Sequence, residues 1–131
     1  MLVQEGEGWR LAVDPSRQPF SVLIGGCGWG VELSAAEAWA LRRGVGRLAE
    51  QHRGLVPTLM EEESIELELE LTLEAGSLWL ALVGDRCHWS LRFVLTPATG
   101  QRAVEGSWSP AASGAFAAAL GLASVFPDMP A

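Results

Sequence analysis

The 131-residue chain carries nine arginines and no lysine, asparagine or tyrosine, and that inventory already restricts its chemistry. Without lysine there is no phosphate-loop lysine and no Schiff base to a cofactor. Without asparagine there is no N-glycosylation acceptor. Cationic work falls to arginine. Arg42, Arg43 and Arg47 lie within two turns of a predicted helix, off its apolar stripe. A guanidinium offers a fixed fork of donors that fits a phosphate oxygen pair. The same three side chains fit equally a solvated helix face, with Arg47 paired locally to Glu50.

A second group is Trp79, His88 and Arg92, which strand alternation places on one outward sheet face with Thr72 and Ser90 beside the indole. An aromatic ring with an arginine on an open sheet can stack a base. The alternative is that Trp79 is covered by the first half of the chain or by a second subunit, since a large exposed apolar group usually marks an interface. Glu66, Glu68 and Glu70 form a carboxylate row on the same face. Acid–base catalysis needs a cleft and unlike environments for its two carboxyls. A row along one strand reads instead as a guard against edge-to-edge aggregation, or as a partner for arginines.

Other signatures fail on spacing. Gly25-Gly26-Cys27-Gly28-Trp29-Gly30 lacks the third glycine of a dinucleotide loop and no helix follows directly, so Gly28 is expected as a bulge or close-packing site in a hairpin. There is no G-x-S-x-G, and neither His52 nor His88 has a neighbouring nucleophile. Cys27 and Cys87 read as small buried hydrophobes. Cys87 and His88 would alternate across a strand, and no ligand pair has zinc spacing. The expectation is a non-enzymatic protein with no metal and no cofactor.

The elements that position these groups follow from periodicity. In the first half, Trp9 to Val13, Phe20 to Ile24 and Cys27 to Leu33 read as three strands, with Gly25-Gly26 as the tight turn between the last two. Ser34 and Glu37 form a capping box. Ala38, Leu41, Val45, Leu48 and His52 then recur at helical steps until Gly54 and Pro57. In the second half, Ile65 to Leu73 alternates strictly between aliphatic and polar residues. A turn at Ala75-Gly76 would set Leu73, Leu71 and Leu69 opposite Leu78, Leu80 and Leu82. A second turn at Gly84-Asp85 would bring Cys87, Trp89 and Leu91 to that apolar face. A last strand near Arg102 to Trp108, with Val104 and Trp108 inward, leads to Ser109-Pro110 as cap and first residue of a helix. Phe116, Leu120 and Ala123 or Ser124 make its stripe. The fold class is α+β: two antiparallel meanders, β-β-β-α then β-β-β-β-α, each covered by one helix. The chain is read as one domain, 1–131, in halves 1–57 and 58–131.

Charge is distributed unevenly. Residues 1–60 hold six arginines and six acids, residues 61–131 three arginines and ten acids, and the formal net charge is −7. A phosphate-attracting surface should therefore come from the first half. The start MLVQEGEGWR has no basic flank and no apolar run, so it is not a signal peptide. A helix from Pro110 to Val125 would span about 24 Å, short of the roughly 30 Å hydrocarbon core. A cytoplasmic protein with no membrane contact is expected.

Several segments in this order carry a resemblance. They are Glu5-Gly6-Glu7-Gly8-Trp9-Arg10, Asp14, Arg17, Phe20, Leu23-Ile24-Gly25-Gly26, Trp29, Glu32-Leu33 and Glu37. Later come Leu59-Met60, Glu62-Glu63, Glu66-Leu67-Glu68, Trp89-Ser90-Leu91-Arg92 and Val104-Glu105-Gly106-Ser107-Trp108. The chain resembles a cyanobacterial family, domain-of-unknown-function family 1818. That family is similar at fold level to the Whirly-type single-stranded-DNA-binding transcriptional regulators, which have two meander-plus-helix repeats. The resemblance implies a binding protein that contacts single-stranded nucleic acid or transcription machinery. Whirly proteins use a lysine-rich strand, which this chain lacks. The competing expectation is an acidic protein-interaction module or homodimer.

Overall fold

Gly6-Glu7-Gly8-Trp9 and Gly26-Cys27-Gly28-Trp29 are the same hairpin turn used twice. Gly8 and Gly28 both sit at φ 81°, in the left-handed region that favours glycine. Gly6 pairs with Trp9 and Gly26 with Trp29. In each hairpin the indole folds across the strand onto its paired glycine, where a Cβ would overlap Trp9 Nε1 or Trp29 Nε1. The turn in the second hairpin is therefore Cys27-Gly28, not Gly25-Gly26, because Gly26 is needed as the flat seat for Trp29.

The computed structural model describes residues 1–98 and 100–122. The first half contains β1 (Leu2–Gly6), β2 (Trp9–Val13), β3 (Val22–Gly26), β4 (Trp29–Leu33) and α1 (Ala35–Leu55), closed by a 3-10 turn at Val56–Thr58. The second contains β5 (Ile65–Leu73), β6 (Gly76–Gly84), β7 (Trp89–Thr96), β8 (Val104–Trp108) and α2 (Pro110–Leu120). Each set of strands forms a four-stranded antiparallel sheet in sequential order. The α+β class with two meander-plus-helix halves is as expected, and the first half has one strand more. That strand, β1, is an edge strand in which only Gln4 is half-buried, so no alternation betrays it.

The caps are those the sequence predicts. Ser34 Oγ accepts from Glu37 N at 3.2 Å, and the Glu37 carboxylate accepts from Ser34 N at 2.8 Å. Ser109 Oγ accepts from Ala112 N at 3.2 Å. Ala38, Leu41, Val45, Leu48 and His52 are all buried. The expectation that Ala123 or Ser124 joins the α2 stripe lies outside the described residues.

Register differs from expectation by even numbers. The β5–β6 turn is Glu74-Ala75, so Leu71 pairs with Leu78, Leu69 with Leu80 and Leu67 with Leu82. The β6–β7 connection is a four-residue loop, Asp85 to His88, and Leu82 pairs with Leu91. The loop is organised by Asp85, whose Oδ1 accepts from Cys87 N at 2.8 Å and His88 N at 2.7 Å. Those two backbone bonds, His88 first, hold the Asp85 carboxyl below its ordinary value. Even shifts leave the paired strand residues on their predicted faces, but Cys87 and His88, expected within the strand, lie in the loop. Val104 pairs with the core residue Leu95 and so faces inward as expected, yet it is 37% exposed because it lies at the far end of β8 from α2.

Helix placement crosses between the halves. α1 packs chiefly across β5 and β6 of the second sheet, and α2 against β7 and β2. Gly44 brings α1 down onto that sheet: a Cβ there would overlap Leu80 and lie 3.1 Å from Leu71 Cδ1. One apolar core runs through both halves, from Leu11, Ile24 and Leu33 to Leu80, Phe93 and Trp108. Trp108 stacks on Phe116 at 4.1 Å between centroids and Trp29 meets Trp108 edge-on at 5.1 Å. The Ser113 hydroxyl, fully buried, accepts from Leu91 N at 3.0 Å and lies 2.8 Å from Ser109 O.

Candidate functional site: two separated faces

The outer face of the second sheet is defined by cross-strand rows. One row runs Glu70, Trp79, Val94, Glu105; the next runs Glu68, Ala81, Arg92, Ser107. Trp79 therefore neighbours Glu70 and Val94 rather than Thr72 and Ser90, a consequence of the register shifts. Arg92 sits diagonally to Trp79, and its guanidinium lies over the indole at 5.0 Å. Trp79 is half-buried and stands apart from the buried core; the group resting on its ring is Arg92. His88 is not on this face. It belongs to the four-residue loop, exposed, with Nδ1 3.9 Å from Asp85 Oδ1.

This face is acidic. Glu66, Glu68, Glu70 and Glu105 are exposed on it beside the single Arg92. Among the described residues, none of Glu66, Glu68 and Glu70 has an arginine within 4.0 Å. A shallow depression between Trp29, Arg92, Glu105, Gly106 and Ser107 opens at its β8 edge. There Trp29 Nε1 donates to Ser107 O at 3.2 Å.

Arg42, Arg43 and Arg47 occupy the solvent side of α1. That helix covers the inner side of the second sheet, so this face and the Trp79 face point in opposite directions. Arg42 is engaged: its Nη2 donates to Gly121 O at 3.1 Å and its guanidinium lies 5.0 Å from the Trp39 ring. Arg43 and Arg47 are exposed, and among the described residues neither has a carboxylate within 4.0 Å. The Arg47–Glu50 pair is thus not formed, although both line one open groove with Arg42, Arg43, Gly46 and Gly121. The six predicted site residues fall in three places, and only Trp79 with Arg92, and Arg43 with Arg47, come together usefully.

A third feature was not legible in the sequence. On the outer face of the first sheet the 14–21 loop closes over Val3, Ala12 and Leu23, leaving a cavity of about 130 Å³. Arg17 bonds Glu32 across its rim at 2.7 Å, and the buried Ser21 hydroxyl in its wall has no partner among the described residues. Asp14 anchors the loop, accepting from Ser16 Oγ at 2.7 Å, a bond that holds its carboxyl below the usual value.

Cys27 and Cys87 are free and exposed, not buried: one lies in a two-residue turn and the other in the 85–88 loop. Among the described residues no three His, Cys, Asp or Glu side chains gather as a metal ion would need, and no helix is long and apolar enough to cross a membrane.

Comparison with known proteins bears on kinship. No curated protein matches the chain. A crystal structure of a protein of unknown function from Prochlorococcus sp. NATL2A, described as DUF155 family, superposes with a TM-score of 0.78 at 34% identity. The match covers 92% of this chain and 96% of that one. The model of a domain of unknown function, DUF1818, matches residues 4–122, and the chain belongs to that family.

Proposed function

We propose that the chain is a non-enzymatic binding protein whose working surface is the outer face of the second sheet, and that its partner is a basic protein segment. The observation carrying this reading is the Arg92 guanidinium stacked on Trp79 at 5.0 Å within a face that otherwise presents four glutamates. Tryptophan and arginine dominate the binding energy of protein interfaces. A face with four carboxylates and one guanidinium attracts cations and repels a phosphate backbone. The nine residues of β5 and β6 give it length as well.

A second reading rests on a different observation. Arg43 and Arg47 stand exposed and without ion pairs among the described residues, which suits contact with single-stranded nucleic acid, the ligand implied by the Whirly resemblance. One titration separates the two. Tryptophan fluorescence is followed while an arginine-rich peptide, or a single-stranded DNA oligonucleotide, is added at low and moderate salt. The proposed reading expects the peptide to bind and Trp79→Ala to weaken it about tenfold or more. If the oligonucleotide binds instead, salt-sensitively, and Arg43→Glu with Arg47→Glu abolishes it, the second reading replaces the first.

A further inference from the structure

β5 is the outermost strand of the second sheet. β6 pairs with it along all nine residues, Ile65–Leu73, and among the described residues no strand pairs with its other side. A free edge of this kind is a row of unpaired backbone donors and acceptors, a template for another strand. At about 3.3 Å per residue it is roughly 30 Å long.

The side chains show that the edge is incomplete on its inner side too. Ile65, Leu67, Leu69 and Leu73 point to the core, yet each is only half-buried. Their neighbours on β6, Leu78, Leu80 and Leu82, are 2%, 0% and 0% exposed. The helix α1 and strand β6 cover the β5 aliphatics from two directions and leave the third open. On the outer side of the same strand stand Glu66, Glu68 and Glu70, exposed and without arginine partners among the described residues.

We propose that the free edge of β5 is a strand-addition site for an extended segment of alternating basic and apolar residues. The backbone supplies the ladder bonds. The apolar residues of the incoming strand extend the Ile65, Leu67, Leu69 row on the inner side, and its cations stand beside Glu66, Glu68 and Glu70 on the outer side. A second copy of β5 cannot take the place at neutral pH, because pairing the strand with itself sets glutamate against glutamate, and like charges directly opposite are destabilising. The carboxylates thus reject the self-pairing that a long edge invites and select a cationic strand by the same charge. This inference rests on the reading of the second sheet as the partner surface, and it adds where on that sheet the partner lies.

The test uses a nine-residue peptide of alternating arginine and valine and the full chain. Three controls accompany it: a scrambled peptide of the same composition, a peptide N-methylated at alternate residues on the edge-facing side, and the variant Glu66→Gln with Glu68→Gln and Glu70→Gln. Affinity is measured by calorimetry and amide protection by hydrogen exchange. The expected result is at least tenfold weaker binding for each control, with protection gained at residues 65–73. Binding that is lost on Trp79→Ala yet indifferent to N-methylation overturns the edge inference and leaves the partner surface standing. No binding by any basic peptide removes both.

Discussion

The indole nitrogen of Trp108, at the end of the last strand of the second half, donates to the carbonyl of Gly25 in the first sheet at 2.8 Å. The bond is buried, and the same ring stacks on Phe116 of α2. One side chain therefore ties two sheets and a helix together. Trp108→Phe keeps most of the ring but loses the buried bond to the Gly25 carbonyl, which still pairs within the β2–β3 ladder, and should cost about 0.5–1.5 kcal/mol. Trp108→Ala adds a cavity and should cost about 3–5 kcal/mol. Urea denaturation followed by circular dichroism gives both values. Unfolding is expected to remain a single transition, since the core that is loosened belongs to both halves.

Two glycines of α1 make opposite predictions. Gly44 lies against Leu80 and Leu71, whereas a Cβ at Gly46 would meet nothing within 4 Å. Gly46→Ala should stabilise the chain by about 1 kcal/mol, the ordinary helix preference for alanine over glycine. Gly44→Ala should destabilise it by about 1–3 kcal/mol by forcing helix and sheet apart. Equal shifts in thermal midpoint would show that α1 does not sit on β6 through Gly44.

The repeated turns give a third prediction. Gly28→Ala meets no neighbouring atom within 4 Å but must hold φ 81°, so it should cost about 1 kcal/mol from backbone strain alone. Gly26→Ala evicts the Trp29 indole from its seat beside Phe93 and Trp108. It should therefore cost more than Gly28→Ala and shift the tryptophan emission to the red.

Acid should act through two aspartates. Asp14 and Asp85 both have carboxyls held below the ordinary value, by the Ser16 hydroxyl and by the His88 and Cys87 backbone N–H groups. A carboxyl with a depressed folded-state value contributes stability that is complete above its unfolded value of about 3.9 and is lost as pH falls through the folded value. Stability should thus fall below about pH 4, and less steeply in Asp14→Asn with Asp85→Asn. Carboxyl carbon shifts followed from pH 6 to 2 check the order directly, and Ser16→Ala should raise Asp14 alone.

Much of this architecture was legible because of what periodicity preserves. Leu67, Leu69 and Leu71 face the core although their partners lie two residues from where the turn signal put them, because a shift of two changes partners and not faces. The same invariance put Trp79 and Arg92 together on the outer face while misplacing their neighbours. His88 was misassigned because Asp85 turns the chain with its side chain, using up two residues that the alternation counted as strand. β1 was invisible because an edge strand with both faces wet has no contrast to read. The destination of α1 was illegible for a different reason. The stripe Ala38, Leu41, Val45, Leu48 says that the helix needs an apolar surface, and nothing in a stripe names which sheet provides it. The cavity under the 14–21 loop depends on where Phe20 and Arg17 come to rest, a tertiary outcome that no local spacing encodes.

The crossing of α1 onto the second sheet makes the two halves depend on each other for folding. By chain connectivity α1 belongs with β1 to β4, and by packing it belongs with β5 and β6, while α2 bridges β7 and β2. The first half alone would carry a helix whose apolar stripe has lost most of the surface it meets. With both halves present, α1 covers β5 and β6 while α2 is shared between β7 and β2. The loop between Thr58 and Ile65, which joins the halves, is the place where the chain could be cut in two and still reassemble.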